Sequence, residues 1–169
     1  MSIVTKILNA VSKEELQGIS LGEKTRWEVE AVQQPSLFFR NLHFVLPPDS
    51  VLYFEGASIA DEIQTFLRNH LVNKPCPVQG GTIWPRPMKF HVQFASSDAE
   101  NLASLSERYA TPEICDHFHC YKNEKVVLQW FDAWDEPIGL SADISETSVI
   151  EFCKACGVKY KLYEAVALK

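Results

Sequence analysis

Metal ligands and acid/base groups are most concentrated in residues 115–121 of the chain. This stretch contains two cysteines and two histidines, Cys115, His117, His119 and Cys120. Thiolate and imidazole are the ligands that zinc prefers, and a neutral imidazole can act as a general base. Which chemistry is open to these residues depends on whether their side chains can converge on one point.

Strand geometry argues against a metal site. Residues 115–131 predict a β-hairpin with a tight turn at residues 123–124, and successive side chains of a strand point to opposite faces. Cys120 should therefore point away from the other three candidate ligands. Cys153 and Cys156 fall on the apolar stripe of a predicted helix, where a free cysteine packs as a small hydrophobe. We expect free thiols, no metal site and no cofactor.

The two-residue turn also predicts which side chains share a face of the hairpin. One face is expected to carry His117, His119, Tyr121, Val126, Leu128 and Trp130, and the other Phe118, Cys120, Val127, Gln129 and Phe131. Burial beside Leu128 and Trp130 would lower the pKa of either histidine and keep it neutral. The candidate catalytic residues are therefore His117, His119 and the following Asp132. The alternative, which we favour, is that both histidines are hydrogen-bonded inside a core or an interface.

Three carboxylates and a tryptophan follow the hairpin, at Asp132, Trp134, Asp135 and Glu136. Clustered carboxylates can bind a divalent cation or form an acid/base pair. An acidic segment before a proline is more often a turn, in which side chains bond to local backbone amides. We therefore expect a turn first, an exposed surface for a basic partner with Trp134 and Asp135 second, and catalysis third.

A second candidate site is the long loop predicted over residues 75–87, which contains four prolines and a glycine pair. Trp84 and Arg86 alternate with prolines there, and both residue types are common anchors of protein interfaces. The glycines are not followed by the Lys-Ser/Thr pair of a phosphate-binding loop. His91 falls on the polar side of the next predicted strand. Trp84, Arg86 and His91, with Trp134 and Asp135, are the candidate binding residues.

The elements that position these residues follow from apolar periodicity and capping patterns. Helices are predicted at residues 3–11, 12–18, 58–71, 97–109 and 145–156, the last capped by Ser145 and ended by Gly157. Strands are predicted at residues 27–31, 88–94, 115–121, 126–131, 138–141 and 158–162, with a further hairpin of residues 42–46 and 51–54. Residues 37–42 could instead form a helical turn. This order predicts a single α+β domain over residues 1–169, with a mixed, largely antiparallel sheet and three or four helices mainly on one face.

Composition excludes some classes of function. The chain has 169 residues and a formal net charge of −6, and it has no basic cluster, so nucleic acid is not an expected partner. No apolar run is long enough to cross a membrane, and the first residues lack the pattern of a signal peptide. Five cysteines, an odd number, are typical of the reducing cytoplasm.

Two hypotheses about function follow. The first is a non-catalytic binding or protein-interaction module, of the kind found among small bacterial accessory or neutralising proteins. Apolar residues on both faces of the hairpin also predict a homodimer, unless the N-terminal segment covers the second face. The second hypothesis is a small-molecule-binding protein or an enzyme, with a pocket between the 115–131 hairpin and the 75–87 loop.

Overall fold

The computed structural model describes residues 18–82 and 84–165. In that part of the chain the strands are β1 (Arg26–Val29), β2 (Val51–Gly56), β3 (Met88–Gln93), β4 (His117–Lys122), β5 (Lys125–Trp130), β6 (Ile138–Ser141) and β7 (Tyr160–Tyr163). The α-helices are α1 (Pro35–Asn41), α2 (Asp61–Arg68), α3 (Asp98–Ser106) and α4 (Glu146–Cys156). Short 3-10 helices cover Leu42–Phe44 and Thr111–Glu113. The two helices predicted before residue 18 lie outside the described residues.

The seven strands form one sheet in the order β3-β2-β4-β5-β6-β1-β7, and each neighbouring pair is antiparallel. This confirms the predicted α+β class. Alternating side chains of the strands point either to the helices or to the opposite side, which we call the second face. None of the described helices is long and apolar enough to span a bilayer.

Aromatic packing joins the helix layer to the sheet. Phe38 of α1 is fully buried, and its ring lies 4.9–6.2 Å from five other aromatic rings. Those rings belong to Phe39, Phe118, Trp130, Trp134 and Phe152. Each such pair contributes about 0.5–1.5 kcal/mol beyond the burial of its area. Because these residues come from α1, two central strands, a turn and α4, this cluster fixes the two layers together.

The hairpin predicted at residues 42–46 and 51–54 is wrong in its first half. Pro35 begins α1 at a position where its fixed φ and missing N–H suit a helix, so the alternative of a helical turn over residues 37–42 is confirmed. The helix predicted at residues 58–71 is shorter, with Ala60 rather than Ser58 as its N-cap. The caps of α4 are as predicted, because Ser145 accepts from the backbone N–H of Ser148 and Gly157 has a φ of 69°.

The 115–131 hairpin forms with the predicted two-residue turn, but its register is different. Tyr121 pairs with Val126. The preceding residue, Cys120, pairs with Leu128, so that Val127 is an extra residue in β5. A bulge of this kind reverses the facing of every later residue in the strand. The predicted faces are therefore wrong: Leu128 and Trp130 lie with Phe118 and Cys120 toward the helices, and Gln129 and Phe131 lie with His117 and His119 on the second face.

Candidate functional site

Adjacent strands bring tyrosine, glutamate and histidine side chains together on the second face. Tyr53 of β2 lies between His91 of β3 and His119 of β4 in the sheet register. Glu55, two residues further along β2, lies opposite His117. Period-two alternation in three neighbouring strands is sufficient to create this polar cluster.

A segment that we call the strap, residues 76–82, covers this cluster. It pairs with the chain near Gly18, where the Ile19 N–H donates to the Pro77 carbonyl at 2.9 Å and the Gln79 N–H donates to the Ile19 carbonyl at 3.1 Å. Val78 is buried in a small apolar cluster with Tyr53 and Tyr121, separate from the main core. The strap therefore rests on the second face with its own limited packing.

Glu55 fixes the end of the strap. Its carboxylate is fully buried and accepts hydrogen bonds from the N–H groups of Gly81, at 3.1 Å, and Thr82, at 2.6 Å. The Tyr53 hydroxyl donates to the other carboxylate oxygen. Sequence reasoning missed both residues. The signal was a single acidic residue at the end of the apolar run Val51–Phe54, because an acid in a buried strand needs partners.

Gly81 is required by the closeness of the strap to His117. A Cβ atom at this position would lie 2.4 Å from His117 Nε2 and 2.6 Å from two ring carbons. The imidazole itself is packed under the strap with almost no exposed surface. Only a residue without a side chain allows this contact.

Backbone hydrogen bonds set the proton positions of both buried histidines. The Asp132 N–H donates to His117 Nδ1 at 2.9 Å, and the Trp130 N–H donates to His119 Nδ1 at 3.0 Å. A neutral imidazole has one donor and one acceptor nitrogen, so both rings carry their proton on Nε2. The Nε2–H of His117 donates to Thr82 Oγ1, 3.0 Å away.

Thr82, His117 and Asp132 lie near one another in the order of the nucleophile, base and acid of a catalytic triad. Their hydrogen bonds differ from those of a triad. In a working triad the carboxylate accepts from Nδ1–H, and Nε2 accepts the proton of the nucleophile. Here the Asp132 carboxylate is 3.9 Å from His117 Nδ1, which already accepts a backbone N–H. His117 therefore donates to Thr82 and cannot remove its proton. The same tautomer leaves no lone pair on Nε2 for a metal ion.

His119, like Glu55, is a fully buried titratable group of the second face. Its ring stacks on Tyr53 with an interplanar angle of 8° and a centroid distance of 5.5 Å. Burial, together with the nearby His117, lowers the pKa of His119 to about 3. Its Nε2–H has no hydrogen bond among the described residues, and the backbones of Phe118 and Gln79 raise the pKa of the ring by less than burial lowers it.

The acidic segment after β5 is a turn, the interpretation ranked first. The Asp132 carbonyl accepts from the N–H groups of Asp135, at 3.1 Å, and Glu136, at 3.0 Å. Asp132 and Asp135 are exposed at a cavity of about 220 Å³. Trp134 is buried, contrary to the surface role predicted for it, and its Nε1–H donates to the Cys115 carbonyl at 3.3 Å. The reason is its position in the aromatic cluster around Phe38.

The remaining candidate binding residues do not form one site. Trp84 is 86% exposed and Arg86 is also exposed, both on the loop that follows the strap. His91 is half-buried, and its Nδ1 lies 3.1 Å from the Tyr121 hydroxyl. Burial, and secondarily the charge of Lys89, lowers the pKa of His91 to about 4. His91 is thus part of the covered cluster, whereas Trp84 and Arg86 belong to the surface.

A polar cleft of about 520 Å³ opens beside the strap on the second face. Gln79 of the strap and Gln129 and Phe131 of the hairpin line it, together with Arg26 and Glu28 of β1. Arg26 and Glu28 form an ion pair at 2.8 Å. Sequence reasoning missed the two β1 residues, although their alternation with Trp27 and Val29 indicated a polar face.

The cysteines supply no reactive group in this part of the chain. All five are free thiols, and four of them, Cys115, Cys120, Cys153 and Cys156, are buried. Burial raises the pKa of each of these four thiols, that of Cys153 to about 11. Cys120 points to the helices, away from His117 and His119, as the strand geometry predicted. Within the described residues no cluster of three potential ligands is arranged to hold a metal ion.

Replacing Gly81 with alanine tests the packing of the strap. Its Cβ would overlap the His117 ring, so we expect the free energy of unfolding to fall by about 1–3 kcal/mol. Gly139→Ala is the matched control, because the closest contact of its Cβ would be the flexible end of Leu21 at 3.2 Å, and the Gln129 carbonyl oxygen and Arg26 Cδ would lie at ordinary contact distances of 3.4 and 3.5 Å. Urea unfolding of the two variants and the parent measures both effects. Equal stability of Gly81→Ala and the parent protein would contradict the described contact.

Comparison with known proteins gives no relative from which a role could be transferred. No protein-family model matches the sequence, and neither the curated proteins nor the solved structures include a significant match. The function of the chain must therefore be inferred from its own residues.

Proposed function

We propose that the chain is a non-catalytic protein-interaction module whose contact surface is centred on Trp84. The observation that carries this proposal is the 86% exposure of a tryptophan on a constrained loop. Large aromatic side chains are expensive to leave in water and are the commonest interface hot spots. An exposed tryptophan of this kind supports a surface that becomes buried on binding.

The loop around Trp84 is constrained on both sides. Before it, the Gly81 and Thr82 amides are bonded to the buried Glu55 carboxylate. After it, β3 begins at Met88, and Pro85 and Pro87 restrict the backbone between them. Ordering such a loop on binding costs little conformational entropy, because most of it is fixed beforehand.

The state of the candidate catalytic residues supports a non-catalytic role. His117 and His119 are buried, and each has its Nδ1 occupied by a backbone N–H. Asp132 is exposed, but it faces a histidine nitrogen that is already an acceptor. A general base needs both access to its substrate and a free lone pair. Neither histidine offers them while the strap is in place.

The chemistry of the partner follows from charge. The chain carries a net charge of −6, which supports a protein with a basic surface, since complementary charge speeds association and suppresses wrong partners. A small accessory protein that binds and neutralises a basic protein is the class that fits best. The five free thiols support a reducing compartment, the cytoplasm, as its location.

The 520 Å³ cleft supports a second candidate function, the binding of a small polar molecule. It combines an aromatic ring, Phe131, with amide and charged groups such as Gln129 and Arg26. Concave sites with a few convergent polar groups are typical of ligand pockets. The cleft is lined by Gln79 of the strap and by Gln129 and Phe131 of the hairpin, the two segments expected to form a pocket.

The homodimer stays a prediction, but the apolar surface that could form its interface differs from the one expected from the sequence. The strap and residues 18–22 cover much of the second face near β4, which the sequence left without a covering element. Among the described residues outside the loop, the large apolar side chains that are at least 44% exposed are Leu71, Ile150 and Leu162. Light scattering at micromolar concentration distinguishes a dimer from a single chain of 19.2 kDa. A mass of one chain would contradict the dimer.

Substitution of Trp84 tests the interaction surface. The tagged chain is used to recover candidate partners from its source cells, and each recovered protein is purified and titrated directly against the parent and its variants. We expect Trp84→Ala to weaken binding at least about tenfold, the usual loss at a hot spot. It should leave folding unchanged because the side chain is exposed.

Two matched variants accompany this titration. Ile150→Ala removes an exposed apolar side chain outside the loop and should leave affinity within about twofold. Gln129→Ala alters the cleft and removes the acceptor of the Leu21 N–H, so its stability is measured first; it should lower affinity only for a small-molecule ligand. Parent-like affinity of Trp84→Ala for a partner that binds the parent protein would contradict the proposal.

A further inference from the structure

The strap is packed over an unusual number of titratable groups for so short a segment. Three of the five histidines of the chain, His91, His117 and His119, lie in the cluster that the strap covers. The main core beneath the helices contains no histidine. Protonation of the buried imidazoles therefore affects the strap first.

The contacts that hold the strap depend on the protonation state of this cluster. The Cys76 N–H donates to the Tyr121 hydroxyl at 3.2 Å, and that hydroxyl is 3.1 Å from His91 Nδ1. A hydroxyl donates one hydrogen bond and can accept two, so beside the bond from Cys76 the Tyr121 hydroxyl can donate to an unprotonated His91 Nδ1 or accept from a protonated one. A second proton on His91 would turn this contact with Tyr121 into a bond donated by the ring and would place a positive charge in a half-buried position at this end of the strap, which burial disfavours.

Protonation of His119 would also weaken the packing of the strap, at its centre. A second proton would go to Nδ1, which already accepts from the Trp130 N–H, so the cation would place two donors face to face. The cation would also be buried without a carboxylate in contact, which is costly. Opening of the strap gives the ring access to water and removes both penalties.

The charged and titratable groups around the cluster do not offset these penalties. They are Tyr53 and Glu55 from β2, Lys89 and His91 from β3, His117 and Tyr121 from β4, Asp132 after β5, and Cys76 with the nearby Glu124. Residues 18–22, the other described segment that covers this face near β4, contain no titratable side chain. The buried carboxylate of Glu55 is occupied by Tyr53 and the strap amides.

We propose that the strap is an acid-sensitive latch, which leaves the second face when His119 and His91 are protonated while the helix-covered core stays folded. The strap has few apolar contacts of its own, and segments of this kind open at lower free energy than the core. Opening would expose Tyr53, Glu55 and the two β4 histidines. It gives the chain a second, polar and aromatic surface under mildly acidic conditions.

The direction of the pH dependence follows from proton linkage. With the strap closed, burial holds the pKa of His119 at about 3 and that of His91 at about 4. Released imidazoles return to an ordinary pKa of about 6.5. Opening therefore takes up protons below about pH 6.5, and the open fraction rises by up to about tenfold per pH unit for each proton bound.

Hydrogen exchange of the complete chain tests the latch between pH 7.5 and 5.0, a range above the ordinary pKa of carboxyl groups. After correction for intrinsic exchange, we expect the protection of the Gly81 and Thr82 amides to fall at least about tenfold from pH 7.0 to 5.0. The β5 amides should keep their protection. Unchanged protection of the strap, or equal loss in strap and β5, would overturn the proposal.

Variants identify the groups responsible. His119→Asn keeps an acceptor for the Trp130 N–H but cannot be protonated, and His91→Gln removes the second titrating group. Either variant should reduce the acid response of the strap, and His43→Asn, at an exposed histidine, should not. If His119→Asn does not fold, a comparison of the acid response of the strap in the parent protein and in His91→Gln still tests the assignment. An acid response that is unchanged in every folded variant of the cluster would overturn the assignment.

Discussion

The buried carboxylate of Glu55 is the constraint on which the second face of the sheet depends. A carboxylate removed from water needs hydrogen bonds to nearly all of its lone pairs. Glu55 takes donors from Tyr53 and from two successive strap amides. The position of the strap is therefore dictated by the strand beneath it. Removing the strap would leave a charged group on the sheet without two of its three donors.

The same contact decides what the histidines can do. With Gly81 and Thr82 bonded to Glu55, the strap lies directly on the His117 ring. Two backbone N–H groups from the far end of the hairpin then define the tautomers of His117 and His119. Residue types that suit catalysis are used here as hydrogen-bond acceptors inside a layered fold. The neighbouring loop instead presents an exposed aromatic side chain, Trp84, to solvent.

Local patterns predicted the elements well, whereas long-range contacts decided the site. The caps of α4, the alternation of β3 and the exposure of Trp84 depend on nearby residues and were predicted correctly. The bulge at Val127 carries no glycine or other local signal, and it reversed the facing of Trp130 and Gln129. The strap could not be foreseen because its contacts join residues distant in sequence, such as Glu55 with Gly81, 26 positions apart, and Cys76 with Tyr121, 45 positions apart.

Which ring nitrogen of each buried histidine carries the proton can be measured by NMR. Long-range ¹H–¹⁵N correlation spectra of histidine-labelled protein at pH 7 report which ring nitrogen carries the proton. For His117 and His119 this account predicts neutral rings protonated at Nε2, because each Nδ1 accepts a backbone N–H. Protonation at Nδ1, or the averaged signals of a solvent-exposed ring, would show that the histidines are open to chemistry and would contradict the non-catalytic account.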